Sequence, residues 1–399
     1  MNTRHIVVFF LLIGTILTTK AQIPTTTQVP APDTLMRKVL ENNKALQVAR
    51  ESYQVAILEA GTGNTPPDPE VGFGYLFGKP SEMGNRLDFS VSQQVDFPTA
   101  YIHKSRLRKI KTTQAELEYV ISRQEVLLQA RHLWIERLHL NQQEKLFLKR
   151  LKQAETINDH FRQKLASGEE SQLVYSQSNL QLAALQSEYE QVVAEIKSNQ
   201  WSLNEISGGI EVDIKDTIFP IPVRIVPDSL LQVYSNSPAM QLHHRELQLK
   251  EEQKGLTVSQ NLPKISAGYF SESVLDQQFK GFQVGVTVPL WENSNRIKKA
   301  KSEVIFAEAD AERYTYLQRK EVMQKLDQLE SLKSRAYHIE EALGTGKSIE
   351  LLILALNTGE ISLSEYFYAS DFYFRNTQLL LQFKKDQLLK EAELLKVYL

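Results

Sequence analysis

The sequence contains no cysteine, which excludes a disulfide scaffold, thiolate-ligated zinc, iron–sulfur clusters, thiol catalysis and a lipid-modified N-terminal cysteine. It also lacks an excess of either charge. The 46 Lys and Arg stand against 48 Asp and Glu, so a basic nucleic-acid-binding surface is not expected, and no nucleic-acid partner with it. Beyond the N-terminus no run approaches 18 consecutive apolar residues, the length of a membrane-spanning helix. A chain of this kind enters a bilayer only as β-strands. No H-E-x-x-H, G-x-S-x-G or phosphate-cradling glycine loop occurs, so neither an enzyme nor a cofactor is expected. Finally, Pro and Gly are absent from Lys104 to Leu165. That leaves room for about 93 Å of unbroken helix, far more than a globular domain uses.

What is present begins with a targeting signal. Met1 to Ala21 has a basic start at Arg4, an apolar stretch from Ile6 to Leu17, and small residues before Ala21 where a signal peptidase cuts. The apolar stretch is too short for a membrane anchor. Its removal leaves 44 basic and 48 acidic residues. Residues 22–32 form a Pro/Thr-rich segment.

The remainder is written twice. Asp33-Thr34-Leu35 opens a helical pattern to about Ala60, and Asp228-Ser229-Leu230 opens another to about Ser259, 195 residues later, each with an acidic cap. A proline then starts an alternating run in each half, at Pro69 and at Pro263, an offset of 194. Polar loops are expected at Gly78 to Asn85 and at Ser271 to Lys280. The third landmark is the motif G-E-x-S-x-x-x-Y, from Gly168 to Tyr175 and from Gly359 to Tyr366, offset by 191. Three ordered landmarks at nearly one offset predict a tandem duplication: a first repeat over 33–206, a link over 207–227 and a second repeat over 228–399.

Period-2 alternation predicts two strand hairpins. Val71, Phe73 and Tyr75 share one face opposite Gly72 and Gly74, while Phe282, Val284 and Val286 share one face opposite Gln283 and Gly285. Such strands suit a barrel wall between lipid and water, with those six residues facing lipid; a half-buried strand in a soluble sheet has the same pattern. Between the hairpins, Leu182, Leu185, Tyr189, Val192, Ile196, Leu203 and Ile206 form a heptad seam, and Leu329, Ala336 and Leu343 continue it in the second half. The predicted fold is therefore mainly α with a β-barrel contribution. Four strands cannot close a barrel, so the chain must oligomerise, and a conduit favours three copies over two. A periplasmic coiled-coil structural or adaptor protein without a barrel is the alternative.

These landmarks resemble the TolC-like outer membrane efflux proteins over residues 33 to 399. The resemblance rests on Leu35 to Gln47 (LMRKVLENNKALQ), Ser92 to Lys104 with its counterpart Thr287 to Lys299, Leu203 to Gly208 (LNEISG) and the two G-E-x-S turns. It implies a homotrimer whose twelve-stranded outer-membrane barrel continues into a twelve-helix periplasmic tunnel. It further implies a periplasmic adaptor (membrane fusion) protein and an inner-membrane pump of the resistance-nodulation-division type as partners, with outer-membrane lipid around the barrel. Gln93 to Pro98 (QQVDFP) looks like the heavy-metal efflux branch. The sequence departs from the family pattern at Asn293-Ser294-Asn295, where glycines are expected.

The resemblance also assigns sites. Ser167, Gly168, Glu169 and Ser171, with Thr358, Gly359, Glu360 and Ser362, fall at the turns that meet the adaptor; as sequence they are equally plain turn chemistry. Glu365, Tyr368 and Phe372 fall where the family closes its tunnel, although a surface glutamate on an amphipathic helix fits Glu365 as well. Closure would then rest on apolar packing by Tyr366, Phe367 or Phe372, since Leu356 and Ile361 replace the family's locking residues. His243 and His244 are about 100° apart on a helix and read as solvated side chains rather than a metal pair. The basic runs at Lys104 to Lys109 and Arg296 to Lys299 fit the upper tunnel, the inner membrane edge or a solvated face.

Overall fold

The computed structural model describes residues 33–275, 277–289, 291, 295–344 and 348–399. The expected signal, the Pro/Thr-rich segment, Asn293 and Ser294 lie outside them. The chain runs α1 (Asp33–Asn42), α2 (Lys44–Gly61), β1 (Glu70–Leu76), β2 (Arg86–Val95), α3 (Pro98–Ser167) and α4 (Gln172–Ile206). It continues with α5 (Pro227–Ser235), α6 (Pro238–Gln260), β3 (Lys264–Val274), β4 (Gln277–Thr287), α7 (Arg296–Gly344), α8 (Ser348–Thr358) and α9 (Leu363–Leu394).

At 70 residues α3 is about 105 Å long and is the spine of the molecule. It packs against α2 and α6 near the sheet and against α4 and α9 further away, while α7 packs on α6 and α9. The packing follows a period of seven. On α4 the residues Ser178, Leu185, Val192, Asn199 and Ile206 are buried at every seventh position, and on α3 so are Leu140, Phe147, Ala154 and Phe161. A strict seven-residue repeat keeps one seam facing its neighbour only if the helices supercoil left-handedly.

Two long helical patterns break where one helix was expected. Asn43 separates α1 from α2: its side-chain oxygen accepts the Leu46 N–H at 3.0 Å while its amide donates to the Ile206 carbonyl at 2.7 Å, tying the break to the end of α4. In the second half Ser237 caps Met240 at 3.3 Å and Pro238 starts α6, since proline at the first helical position needs no donor. Asp228 lies in the first turn of α5 rather than at its cap, which is Val226.

The four strands form one antiparallel sheet in the order β1-β2-β3-β4, leaving β1 and β4 as its edges. The expected loop at Ser271 to Lys280 is a correction: Ser271 to Val274 and Gln277 to Lys280 are paired strand, with Val274 opposite Gln277. The polar residues that read as loop lie in ladders: β2 continues alongside Ser271 to Val274, to Arg86 opposite Val274, and these in turn pair with Gln277 to Lys280.

The main core lies where the long helices meet the link. Leu35 and Val39 of α1, Trp134 and Leu138 of α3, Leu203 of α4, Val212 and Ile214 of the link, and Leu388 of α9 are buried together. The link is stitched down: Asn141 donates to the carbonyls of Ile214 at 3.1 Å and Asp216 at 2.9 Å, and the Val223 N–H donates to the fully buried Glu391 carboxylate at 3.3 Å. Burial pushes the Glu391 pKa up against these bonds and the nearby cations Lys333 and Arg131.

In the same layer His139 is 2% exposed, and burial, aided by the Lys385 charge, lowers its pKa to about 4 despite a backbone hydrogen bond at Leu381. A neutral buried His is protonated more readily when unfolded. Stability therefore falls as pH drops from about 6.5 to about 4, by up to ~1.4 kcal/mol per pH unit for this group. The melting temperature of the purified protein should drop more steeply between pH 6.5 and 4.5 than that of His139→Gln. Parallel curves would show that His139 does not govern this loss.

Candidate functional site

The sheet has two chemically different faces, fixed by register. Val71, Val91, Tyr269 and Phe282 stand in one row across all four strands, with Phe73 and Phe89 in the next row outward. Below them Val284 pairs with Ala267 and Val286 with Ile265. Val71, Phe73, Tyr75, Phe282, Val284 and Val286 are all exposed, Phe282 at 90% and Phe73 at 70%. The other face carries Gly72 and Ser90, then Gly74, Asp88 and Glu272; Arg86 reaches Asp88 at 2.7 Å and Glu272 at 3.3 Å. A bare apolar face of this kind is a large free-energy cost in water, about 25 cal/mol for each Å² left exposed.

At the opposite end of the helices the two G-E-x-S turns adopt one geometry. Gly168 has φ 78° and Gly359 φ 73°, the left-handed region that favours glycine. In the first turn the Gly168 N–H donates to the Leu165 carbonyl at 3.1 Å and the Glu169 N–H to Lys164 at 2.9 Å; in the second, Gly359 donates to Leu356 at 3.2 Å and Glu360 to Ala355 at 2.9 Å. This is the paired-bond helix ending that consumes the last free carbonyls. Ser167 Oγ and Thr358 Oγ1 also bond carbonyls one turn back, at 3.0 Å to Lys164 and 3.1 Å to Leu354. Ser171 caps α4 by accepting the Val174 N–H at 3.3 Å, and Ser362 caps α9 by accepting the Glu365 N–H at 3.2 Å.

Glu365 closes that second cap. Its carboxylate accepts from the Ser362 N–H at 2.7 Å and Oγ at 2.8 Å, which holds its pKa below the usual carboxylate range. Glu365, Tyr368 and Phe372 are exposed along one side of α9. Tyr366 is not among them: it is buried with Ile157, Phe161 and Leu363, and Phe367, Leu356 and Ile361 pack on that cluster, so within the chain Tyr366 is committed to α3.

One residue that sequence reasoning missed sits just above. Arg150 of α3 bonds Asp371 at 2.8 Å, lies 3.6 Å from Glu188 of α4 and stacks 5.0 Å from the Phe374 ring. It thereby ties α9 to both other helices at this level. Only its position on a buried heptad row, seven residues before Ile157, marks it in the sequence.

The remaining candidates are structural. His243 stacks on Tyr314 at 3.8 Å and lies 3.6 Å from Asp310, and among the described residues no group of His, Asp or Glu is arranged to hold a metal. Of the upper basic run, Lys104 pairs with Asp96 at 3.0 Å and Arg106 with Glu252 at 3.4 Å.

The turn chemistry has measurable weight. Gly359→Ala forces a Cβ into the left-handed region and Ser362→Ala removes a cap, each at a cost of about 1 kcal/mol. Amide hydrogen exchange over 359–368 should accelerate about fivefold in either variant and stay unchanged in the sheet. Unchanged exchange at the turn would mean that these bonds do not hold α9.

No family model matches the chain, and no curated protein matches its sequence. Solved structures do. The chain superposes on CusC, described for its transmembrane channel formation, with TM-score 0.79 at 14% identity over 91% of each chain. It superposes on the outer membrane channel CmeC of Campylobacter jejuni with TM-score 0.76 at 16% identity, covering 92% of this chain and 84% of that one. The outer membrane protein VceC of Vibrio cholerae gives 0.77 at 13% identity, covering 91% and 95%. Nearly the whole backbone path is shared at identities where side chains are not, so the chain has the fold of these TolC-like outer membrane channels.

Proposed function

We propose that the protein is the outer-membrane exit duct of a tripartite efflux system, passively conducting what an inner-membrane pump delivers through a periplasmic adaptor. The observation that carries this reading is a four-stranded sheet with a bare apolar face and two unpaired edges. Lipid satisfies the face but not the edges, because backbone donors and acceptors cannot be left open in hydrocarbon.

A second copy of the chain can supply what the edges lack. The helices flanking the molecule carry exposed apolar stripes: Val48 and Val55 on α2, Leu173, Leu180 and Trp201 in register by sevens on α4, and Tyr316 and Met323 on α7. Joining β4 of one copy to β1 of the next, with the flanking stripes between them, is a head-to-tail contact that closes into a ring. Two copies would give eight strands, whose interior side chains fill; three give twelve strands and a lumen. The two halves, each with two helices, two strands and long helices, then read as a tandem duplication that supplies alternate positions around the ring.

In this arrangement the apolar face meets outer-membrane lipid, the 77–85 loop and the outer end of the β3–β4 hairpin face the exterior, and the helices extend into the periplasm. Ser167 to Ser171 and Thr358 to Ser362 form the far rim where the adaptor docks. Glu365, Tyr368 and Phe372 line the closing end, with Arg150 holding α9 in place.

Cell fractionation tests this with two variants. The wild-type chain should appear in the outer membrane as an oligomer that dissociates to single chains only on heating. Gly168→Trp with Gly359→Trp should leave that oligomer intact and abolish export. A chain recovered from the soluble periplasm would overturn the duct, and full export by the double variant would overturn docking at the turns.

A further inference from the structure

The water-facing side of the sheet carries two aromatic residues that its chemistry does not explain, with Leu76 and Val274 in the row beyond them. It is built from small and polar side chains, among them Gly72, Ser90, Asp88, Ser266, Gln283 and Gly285, as a wetted wall should be. Phe270 and Phe279 stand on this same side. Phe270 is directly opposite Gly281, Phe279 is directly opposite Glu272, and the two phenyl groups are diagonal neighbours across β3 and β4. Diagonal neighbours lie about 7–8 Å apart at the backbone, within reach of aromatic rings.

Neither ring is consumed by packing. Phe270 is 45% exposed and Phe279 62% exposed. The hollow beside them is open: a Cβ placed on Gly281 would meet nothing within 4 Å. On β3 and β4 the outer face at this height is the polar one, although Phe73 and Phe89 keep it apolar on β1 and β2. Ser271, Ser273, Gln278 and Lys280 point away from the lumen, so the usual polarity of the wall is inverted in the outer part of this hairpin. Burial against lipid therefore does not account for the two rings.

The charge at this level has a sign. Glu272 and Asp88 are cross-strand neighbours in the row of Phe279, and Arg86 alone bridges both, leaving one net negative charge beside the rings in each chain. Exposed aromatic faces next to uncompensated carboxylate charge attract cations with apolar surface, through ring quadrupole and Coulomb attraction together.

The geometry points to a binding ledge for aromatic organic cations on the barrel wall near its external mouth, formed by Phe270, Phe279 and Glu272. The ledge rests on the duct reading and adds a wall contact for the cargo. It is repeated in each copy and open to water, so it suits weak, rapidly exchanging contact rather than retention.

Planar-bilayer recording of the purified oligomer tests it, with benzyltrimethylammonium added on the external side and benzenesulfonate as the anionic comparator. The cation should block and the anion should not. Phe279→Leu, which keeps apolar bulk without the ring, should raise the half-blocking concentration about threefold, and Phe270→Leu with Phe279→Leu about tenfold. Phe279→Tyr should preserve block. Equal block by both ions, or block unchanged in the double Leu variant, would overturn the ledge while leaving the duct standing. A wild-type protein that forms no pores would overturn the duct itself, and the ledge with it.

Discussion

A β-sheet that meets lipid must pair every backbone N–H and C=O it exposes there, and this chain leaves two strands with an unpaired side. The rest of the molecule is consistent with that requirement being met by copies of itself. Most of the outer face is apolar where lipid would lie, most of the inner face is small and polar where water would lie, and the flanking helices carry exposed apolar stripes. A soluble sheet with this alternation would cover its apolar face with another layer, whereas Phe73, Phe282 and Val284, alternating with glycine and glutamine, are left exposed.

Length and rigidity come from a different source. The long helices are only weakly amphipathic by composition, yet buried side chains recur every seventh residue on α3 and α4, so each helix is held by its neighbours along its whole course. Polar groups inside that packing join separate elements: Arg150 ties together α3, α4 and α9, and Glu391 ties α9 to the link through Val223. A network of this kind fixes the relative height of helices that apolar seams alone would let slide. It also places the capped start of α9, with Glu365 drawn into its own cap, next to the residues assigned to closure.

Much of this was legible in the sequence because the signals are periodic. Alternation set the strands and their faces, a Pro- and Gly-free stretch set α3, and glycine before a serine cap set both turns. What escaped notice depends on partners far along the chain. Asn43 looks like a residue within one helix until its amide meets the Ile206 carbonyl. Ser271 to Lys280 looks like a loop because its residues are polar, although β2 pairs with Ser271 to Val274 and β3 pairs with Gln277 to Lys280. Tyr366 looked available for closing a tunnel, but Ile157 and Phe161, some 200 positions earlier, bury it. Ser362 and Glu365 have the spacing of a capping box, and in the folded chain the carboxylate closes that cap.

Because the chain has no cysteine of its own, edge-to-edge closure can be tested by introducing one cysteine in β1 and one in β4. Pairs drawn from Glu70, Gly72 and Gly74 with Gln283, Gly285 and Thr287 scan the registers on one face. For the pair in register, oxidation in the membrane should link chains covalently into products of two and three chains and none larger. Failure to link in every register, or a ladder extending past three chains, would contradict a closed ring of three.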